Sequence, residues 1–277
     1  MYLHFRGQTD PDSSDRKELL MDLYAFPPIA AVLDGAHALL MGLADLLGPI
    51  AGASSAAAAV VLITLLVRVA LIPVGISQAK AERTRARLAP RLAELRRTHG
   101  RNPERLQREM MALYAQEGTS PMAGCLPLLI QAPIVGIIYA LFILPEIAGH
   151  ANVLLAQSFL GVPLGSSLAG SIAAGSLTPD SLLVFGVIVA AIALVGEVTR
   201  RVFRSPSPMG GADGTPGSPL AAPGVTRMLG LLQFVTAAVA IFVPLAAALY
   251  LLVTVAWTLG QRMLLRRVYP LHPPLPA

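Results

Sequence analysis

The apolar and polar side chains of this chain fall into long apolar runs separated by a few dense polar blocks. From Ile29 to Leu47 apolar residues return at helical spacing (Ile29, Val32, Leu33, Ala36, Leu39, Leu40, Leu43, Leu47), interrupted by Asp34, His37 and Asp45 and closed by Gly48-Pro49. That one-sided pattern predicts an interfacial helix over 28–50 on the external side of a membrane. Residues 55–76 form the first run long enough to cross a bilayer, which takes about 20 residues per helix. Residues 77–120 are densely charged, with Leu88, Leu92 and Leu95 on one stripe and Leu106, Met110, Leu113 and Tyr114 on another. Between the stripes, Gly100 can close one helix, and Asn102-Pro103 can cap and open the next. The pattern predicts a helical hairpin outside the membrane. A second span covers 122–144, a Gly/Ser/Pro-bearing loop 145–180, a third span 181–199, and a Pro/Gly linker 200–227, too poor in apolar residues to fold.

The last apolar stretch, Met228 to Gln261, would measure about 51 Å as one helix, too long for a hydrocarbon core of about 30 Å. Pro244 lies near its middle, and Arg227 and Arg262 bracket it. Two crossings, 228–243 and 245–261, keep both basic ends on one side; 262–277 is then a cytoplasmic tail. Residues 1–27, rich in acids (Asp10, Asp12, Asp15, Glu18, Asp22), read as a disordered or mis-annotated tail with Met21 as an alternative start.

Composition agrees with a membrane class. Hydrophobic residues make up 55% of the 277 and charged residues 13%, against roughly a quarter charged in a soluble domain. Mean hydropathy is +0.64. The net charge of +5 argues less for nucleic acid than for topology, because the cations cluster beside apolar runs. Ten Lys and Arg residues lie between Lys80 and Arg108, and none between Arg108 and Arg200. Placing both basic blocks in the cytoplasm demands an even number of crossings between them. The expectation is an all-α membrane protein with five transmembrane helices, a cytoplasmic helical hairpin, N-terminus out and C-terminus in.

The single cysteine, Cys125, excludes an internal disulfide, and the scattered histidines form no metal-binding spacing. No nucleophile elbow or phosphate-cradling loop occurs, so neither an enzyme nor a cofactor is expected. The residue that carries chemistry is Arg68, in the first span. A central arginine costs about 2.5–3.5 kcal/mol on insertion scales. Snorkelling would relieve it, but Gln78 is about 15 Å away along a helix. With no carboxylate at mid-span to pair with it, Arg68 implies a water-filled cavity, and Thr64, four residues earlier, shares its face. Gln131, Gln233, Thr236, Tyr250 and Thr254 are the other polar groups within spans; each could instead bond between helices for about 0.6 kcal/mol. Trp257 suits an interface belt as well as a groove.

Three segments resemble the YidC-type insertase family: Glu109–Phe142 (hairpin exit and second span), Thr64–Pro73 (first span) and Phe242–Gln261 (final span). The resemblance covers about 55–265. Ser120-Pro121 stands where family members usually have Asn-Pro, Leu251 where an aromatic commonly follows the tyrosine, and Val255 at a frequent asparagine. The resemblance implies a membrane protein insertase and chaperone in the bacterial plasma membrane. Its groove would open to cytoplasm and lipid, with Arg68 as groove arginine, Thr64 facing substrate and Tyr250 as a groove-side aromatic. Gln131, Gln233 and Trp257 complete the expected lining. Nascent membrane proteins and the lipid bilayer would be its partners, with the Sec translocon and, through the 77–120 hairpin, the ribosome as further ones. A secondary transporter with an anion-binding arginine and a non-insertase assembly factor are the competing classes.

Overall fold

The computed structural model describes residues 26–118, 126–147, 149–203 and 234–269, with side chains at 126–134 set aside. The expected N-terminal tail, most of the 200–227 linker, Gln233 and the first part of the fourth span lie outside these residues. The described chain is predominantly helical. Among the described residues, three stretches are long and apolar enough to cross a membrane: Pro27–Ala70, Pro179–Val202 and Leu245–Val268.

Helix α1 (Pro27–Ala51) turns through Gly52, whose φ of +53° suits a residue without Cβ, into α2 (Ser55–Ala70). The two pack along each other. Leu33, Leu40 and Ala44 of α1 and Ala56, Ala57, Ala59 and Val60 of α2 belong to one buried core. The neighbouring stripe of α1 (Val32, Leu39, Leu46) is exposed, an apolar face that suits lipid better than water.

The helix predicted over 55–76 is interrupted. Helix α2 ends at Ala70, and α3 (Ile72–His99) begins beside Pro73. Proline lacks an amide hydrogen and crowds the carbonyl four residues back, here that of Val69, which kinks the chain. Hydrogen bonds from Leu71 to Val67 and from Gly75 to Leu71 persist across the kink, so the first span continues directly into the hairpin. Helix α4 (Pro103–Gln116) returns along α3. The Asn102 side chain accepts from the Arg105 amide at 3.0 Å, the cap expected there. Gly100 differs from expectation: it keeps right-handed helical φ (−60°) instead of the left-handed closing conformation, and a Cβ there would crowd the Arg96 carbonyl. Leu88, Leu92 and Leu113 form the hairpin's own small core, flanked by Leu95, Met110 and Tyr114.

Helix α5 (Leu126–Ile143) leads into 145–180, which is more ordered than a plain loop. It contains two antiparallel ladders, β1 (Glu146–Ile147) with β2 (His150–Ala151) and β3 (Ser158–Phe159) with β4 (Val162–Pro163), then a short α6 (Leu168–Ala173). Ile147, Leu154, Val162 and Leu164 are buried against the bundle, which accounts for the apolar character of a segment built of short strands and turns. Asn152, 5% exposed, ties it down: its Nδ2 donates to the carbonyls of Leu141 (2.8 Å) and Leu144 (2.9 Å) at the end of α5. Those carbonyls are among the acceptors a helix end leaves without intrahelical partners.

Helix α7 (Pro179–Val202) starts in a reciprocal cap between Thr178 and Ser181. Helix α8 (Val235–Phe242) stops at Val243-Pro244, as expected for two segments, and α9 (Leu245–Val268) follows. The first amides of α9 are satisfied from the connection: Leu245 donates to Ser166 and Ala246 to Leu164. The run Leu245–Tyr250 is wholly buried, and its three alanines let α9 approach α2 and α7 closely. Helix α9 also runs seven residues past the expected end at Gln261, so the start of the predicted tail is helical. Arg266 and Arg267 in its last turn favour the extension by facing the helix's negative end.

Replacing Asn152 with alanine is expected to leave the buried Leu141 carbonyl and the partly buried Leu144 carbonyl without this donor, at a cost of about 1–3 kcal/mol. Thermal unfolding of the detergent-solubilised protein, followed by tryptophan fluorescence, should show a lowered Tm; an unchanged midpoint would contradict this role for the side chain.

Candidate functional site

Two polar stripes face each other where the α2–α3 kink meets α9. On one, Arg68, Leu71, Gly75, Gln78, Ala79 and Glu82 follow helical spacing through the kink. On the other, Thr254, Thr258, Gln261, Arg262, Leu265 and Arg266 do the same. They enclose a cavity of about 280 Å³, large enough for several waters by a measure in which one needs roughly 10–15 Å³.

Arg68 lies at one end of this cavity. Its guanidinium donates to Thr254 Oγ1 at 3.1 Å, and no carboxylate pairs with it among the described residues. Glu197, a carboxylate of α7 outside the cavity, is engaged by its own helix, accepting from Arg200 at 2.7 Å and from Arg201. Thr258 donates to the Thr254 carbonyl, so both threonines keep their side-chain oxygens at the cavity wall. Trp257 donates through Nε1 to Gln261 Oε1 at 3.0 Å, which orients that amide. Gln261 Nε2 is buried without a partner among the described residues and is pressed against Gly75, where a Cβ would collide with it. Glycine is what allows the two stripes to approach so closely.

At the hairpin end, Arg266 donates to Glu82 at 2.9 Å. Its guanidinium also lies 4.4 Å from the Phe203 ring centre, and Lys80 lies 5.8 Å from that of Tyr269. Cations over aromatic faces at such distances are attractive, so these contacts hold α3, α7 and α9 together beyond the apolar core.

The expected groove residues therefore separate. Arg68 lines the cavity. Thr64 does not: it is 1% exposed, and its hydroxyl donates to the Val60 carbonyl at 2.6 Å. Helical spacing put it on the face of Arg68, but the bundle closes over that level of the helix. Tyr250 is also sealed in the core, its ring 6.0 Å from that of Phe142. Trp257 borders the site only through Gln261. Gln131 lies within α5, its side chain outside the described set, as is Gln233 entirely. Gln78, Glu82, Thr258, Gln261, Arg262 and Arg266 were not anticipated. The signal for them was the same helical spacing, continued past the apolar runs into charged sequence.

The comparisons bear on this same region. The family model described as 60Kd inner membrane protein matches residues 47–272, which include both stripes and the helices that carry them. Among curated relatives, the membrane protein insertase YidC of Clostridium perfringens is 44% identical over 81 residues, 29% of this chain and 34% of that protein. The YidC of Alkalihalophilus pseudofirmus is 35% identical over 134 residues, 46% and 49% of the two chains. The membrane protein insertase MisCB of Bacillus subtilis is 34% identical over 157 residues, 52% and 50%. The aligned regions thus span about a third to a half of these relatives' lengths. Because the family match takes in most of the chain, from the end of α1 through α9, the protein belongs to the 60Kd inner membrane protein family, the YidC-type family of bacterial membrane proteins.

Proposed function

We propose that the protein is a membrane protein insertase that uses the Arg68 cavity to lower the barrier for polar segments entering the bilayer. The observation that carries this reading is a guanidinium in an apolar helix held by a threonine hydroxyl, with no carboxylate of the described chain against it. A fixed ion pair would have spent that charge within the protein; a hydroxyl leaves it available to an acidic visitor.

The physical difficulty is the polar tail that precedes a substrate's first apolar helix. Moving its amides and carboxylates through hydrocarbon without partners costs several kcal/mol per group. A wet cavity that reaches partway into the membrane shortens the dry path, and Arg68 attracts the tail's negative charge. The substrate's apolar helix then partitions into lipid. A membrane potential favours outward movement of negative charge by about 2.3 kcal/mol per charge per 100 mV. Nascent membrane proteins are the substrates in this reading.

The accompanying topology has five spans, with the N-terminus outside, the C-terminus inside, α1 in the external interface and the hairpin in the cytoplasm. The ten cations from Lys80 to Arg108 support that placement. They also suit contact with an anionic lipid surface or a ribosome.

Two outcomes test these statements. In cells depleted of their own insertase, Arg68→Ala should reduce insertion of a single-span substrate with an acidic tail severalfold more than that of its Asn-substituted counterpart. Arg68→Lys should restore part of the difference; equal insertion of both substrates by the alanine variant would contradict the role of Arg68. Reporter fusions after residue 165 should read as external and after residue 212 as cytoplasmic, whereas fusions reading on the same side would overturn the five-span topology.

A further inference from the structure

The cavity holds more positive charge than Arg68 supplies. Its walls include three arginines, Arg68, Arg262 and Arg266, against one carboxylate, Glu82. Glu82 is committed to Arg266. Arg262 is exposed and has no carboxylate partner among the described residues. On α9, Arg262 lies eight residues beyond Thr254, about 12 Å at helical rise. The second cationic centre is thus well separated from the first and sits at the hairpin end.

The Glu82–Arg266 pair at that end has the features of an exchangeable contact. Both side chains are partly exposed, 37% and 27%, so the pair is screened, and its strength is of the order of 1 kcal/mol or less. Arg266 makes one bond to Glu82 through Nη2, while its buried Nε is unpartnered among the described residues. The guanidinium is also held from the other side by Phe203, so it need not move when the carboxylate changes. A carboxylate of another chain could take the place of Glu82 with little rearrangement of α9.

We propose that the hairpin end of the cavity is a second binding site for acidic side chains of the entering polypeptide, formed by Arg262 and Arg266, with Glu82 as the internal carboxylate that the visitor displaces. This rests on the insertase reading and adds to it a capture step ahead of Arg68. An acidic segment meets Arg262 first, exchanges with Glu82 at Arg266, and then passes along the threonine-lined wall to Arg68. Displacement of Glu82 removes the ion pair between the hairpin's first arm and α9, so occupancy by substrate also loosens the hairpin from the bundle. Glu82 meanwhile disfavours a neutral tail, which gains nothing by breaking the pair.

The test is photocrosslinking in native membranes with the full-length chain. A photoreactive phenylalanine analogue is placed at Leu265, which lines the hairpin end, or at Leu71, beside Arg68. The probes are two single-span polypeptides whose N-terminal tails differ only in two Asp or two Asn residues. The acidic tail should crosslink to position 265 about three- to fivefold more than the Asn tail, the scale of a partly exposed ion pair. Arg262→Gln should abolish this preference, Arg262→Lys should restore it, and Glu82→Gln, which frees Arg266, should increase it. Equal crosslinking of the two tails at position 265 in the unaltered chain, or a preference insensitive to Arg262→Gln, would overturn the proposal. So would a preference that Glu82→Gln lowers. Arg68→Ala separates the two readings: it should remove the acidic preference at position 71 while leaving that at position 265. Loss at 71 with no preference at 265 would sink the capture site alone, and an unchanged preference at 71 would sink the role of Arg68.

Discussion

An arginine inside an apolar helix has to be wetted, paired or lifted to the surface, and in this structure Arg68 meets a threonine hydroxyl at the wall of a polar-lined cavity. Arg68 sits one turn before the Pro73 kink, which swings α3 away from a straight continuation and gives the cavity its first wall. Helix α9 provides the other. Its first six residues are small or apolar and fully packed, but from Thr254 onward the face turned to α3 is polar. One helix therefore does two things in sequence: it seals the bundle at the end carrying the 145–180 connection and opens it at the end carrying the hairpin.

The sealed end depends on hydrogen bonding as much as on apolar contact. Backbone amides that begin α9 are taken up by the carbonyls of Leu164 and Ser166, and carbonyls that end α5 by Asn152. With those groups satisfied, the connection can lie against the apolar core at low cost, and its leucines and valines close that end. At the hairpin end the contacts are partly exposed ion pairs and cation–ring contacts, weaker and more easily exchanged. This difference in contact chemistry gives the cavity a direction.

Much of this was legible in the residues. The hairpin followed from its leucine stripes and the Asn102-Pro103 start, and the break in the last apolar stretch from Pro244 and an excessive length. Arg68 stood out because a single cation in an apolar run has few explanations. What could not be read was which level of each helix a neighbour would cover. Thr64 and Arg68 share a face by periodicity, yet Thr64 is buried in the bundle while α9 borders Arg68 with a polar surface. Tyr250 was assigned to a groove by resemblance, whereas the alanines beside it draw α9 so close to α2 and α7 that its ring lies within the core. The hairpin-end residues were overlooked for a related reason: Glu82, Arg262 and Arg266 fall among many charges, and only the packing of α3 on α9 distinguishes them from solvent-facing neighbours.

The central claim, that the guanidinium of Arg68 lies in water reaching it from the hairpin side, is tested most directly by thiol accessibility. With Cys125 replaced by serine, single cysteines at Thr254 and Thr258, and at the outward-facing Val187 as a control, can be challenged with a membrane-impermeant maleimide in vesicles of both orientations. Positions 254 and 258 should label from the face that exposes the hairpin and not from the opposite one, and position 187 from neither. Cysteines at 254 and 258 that stay unlabelled from both faces, yet react once the membrane is dissolved, would mean a dry site and would contradict the wetted cavity.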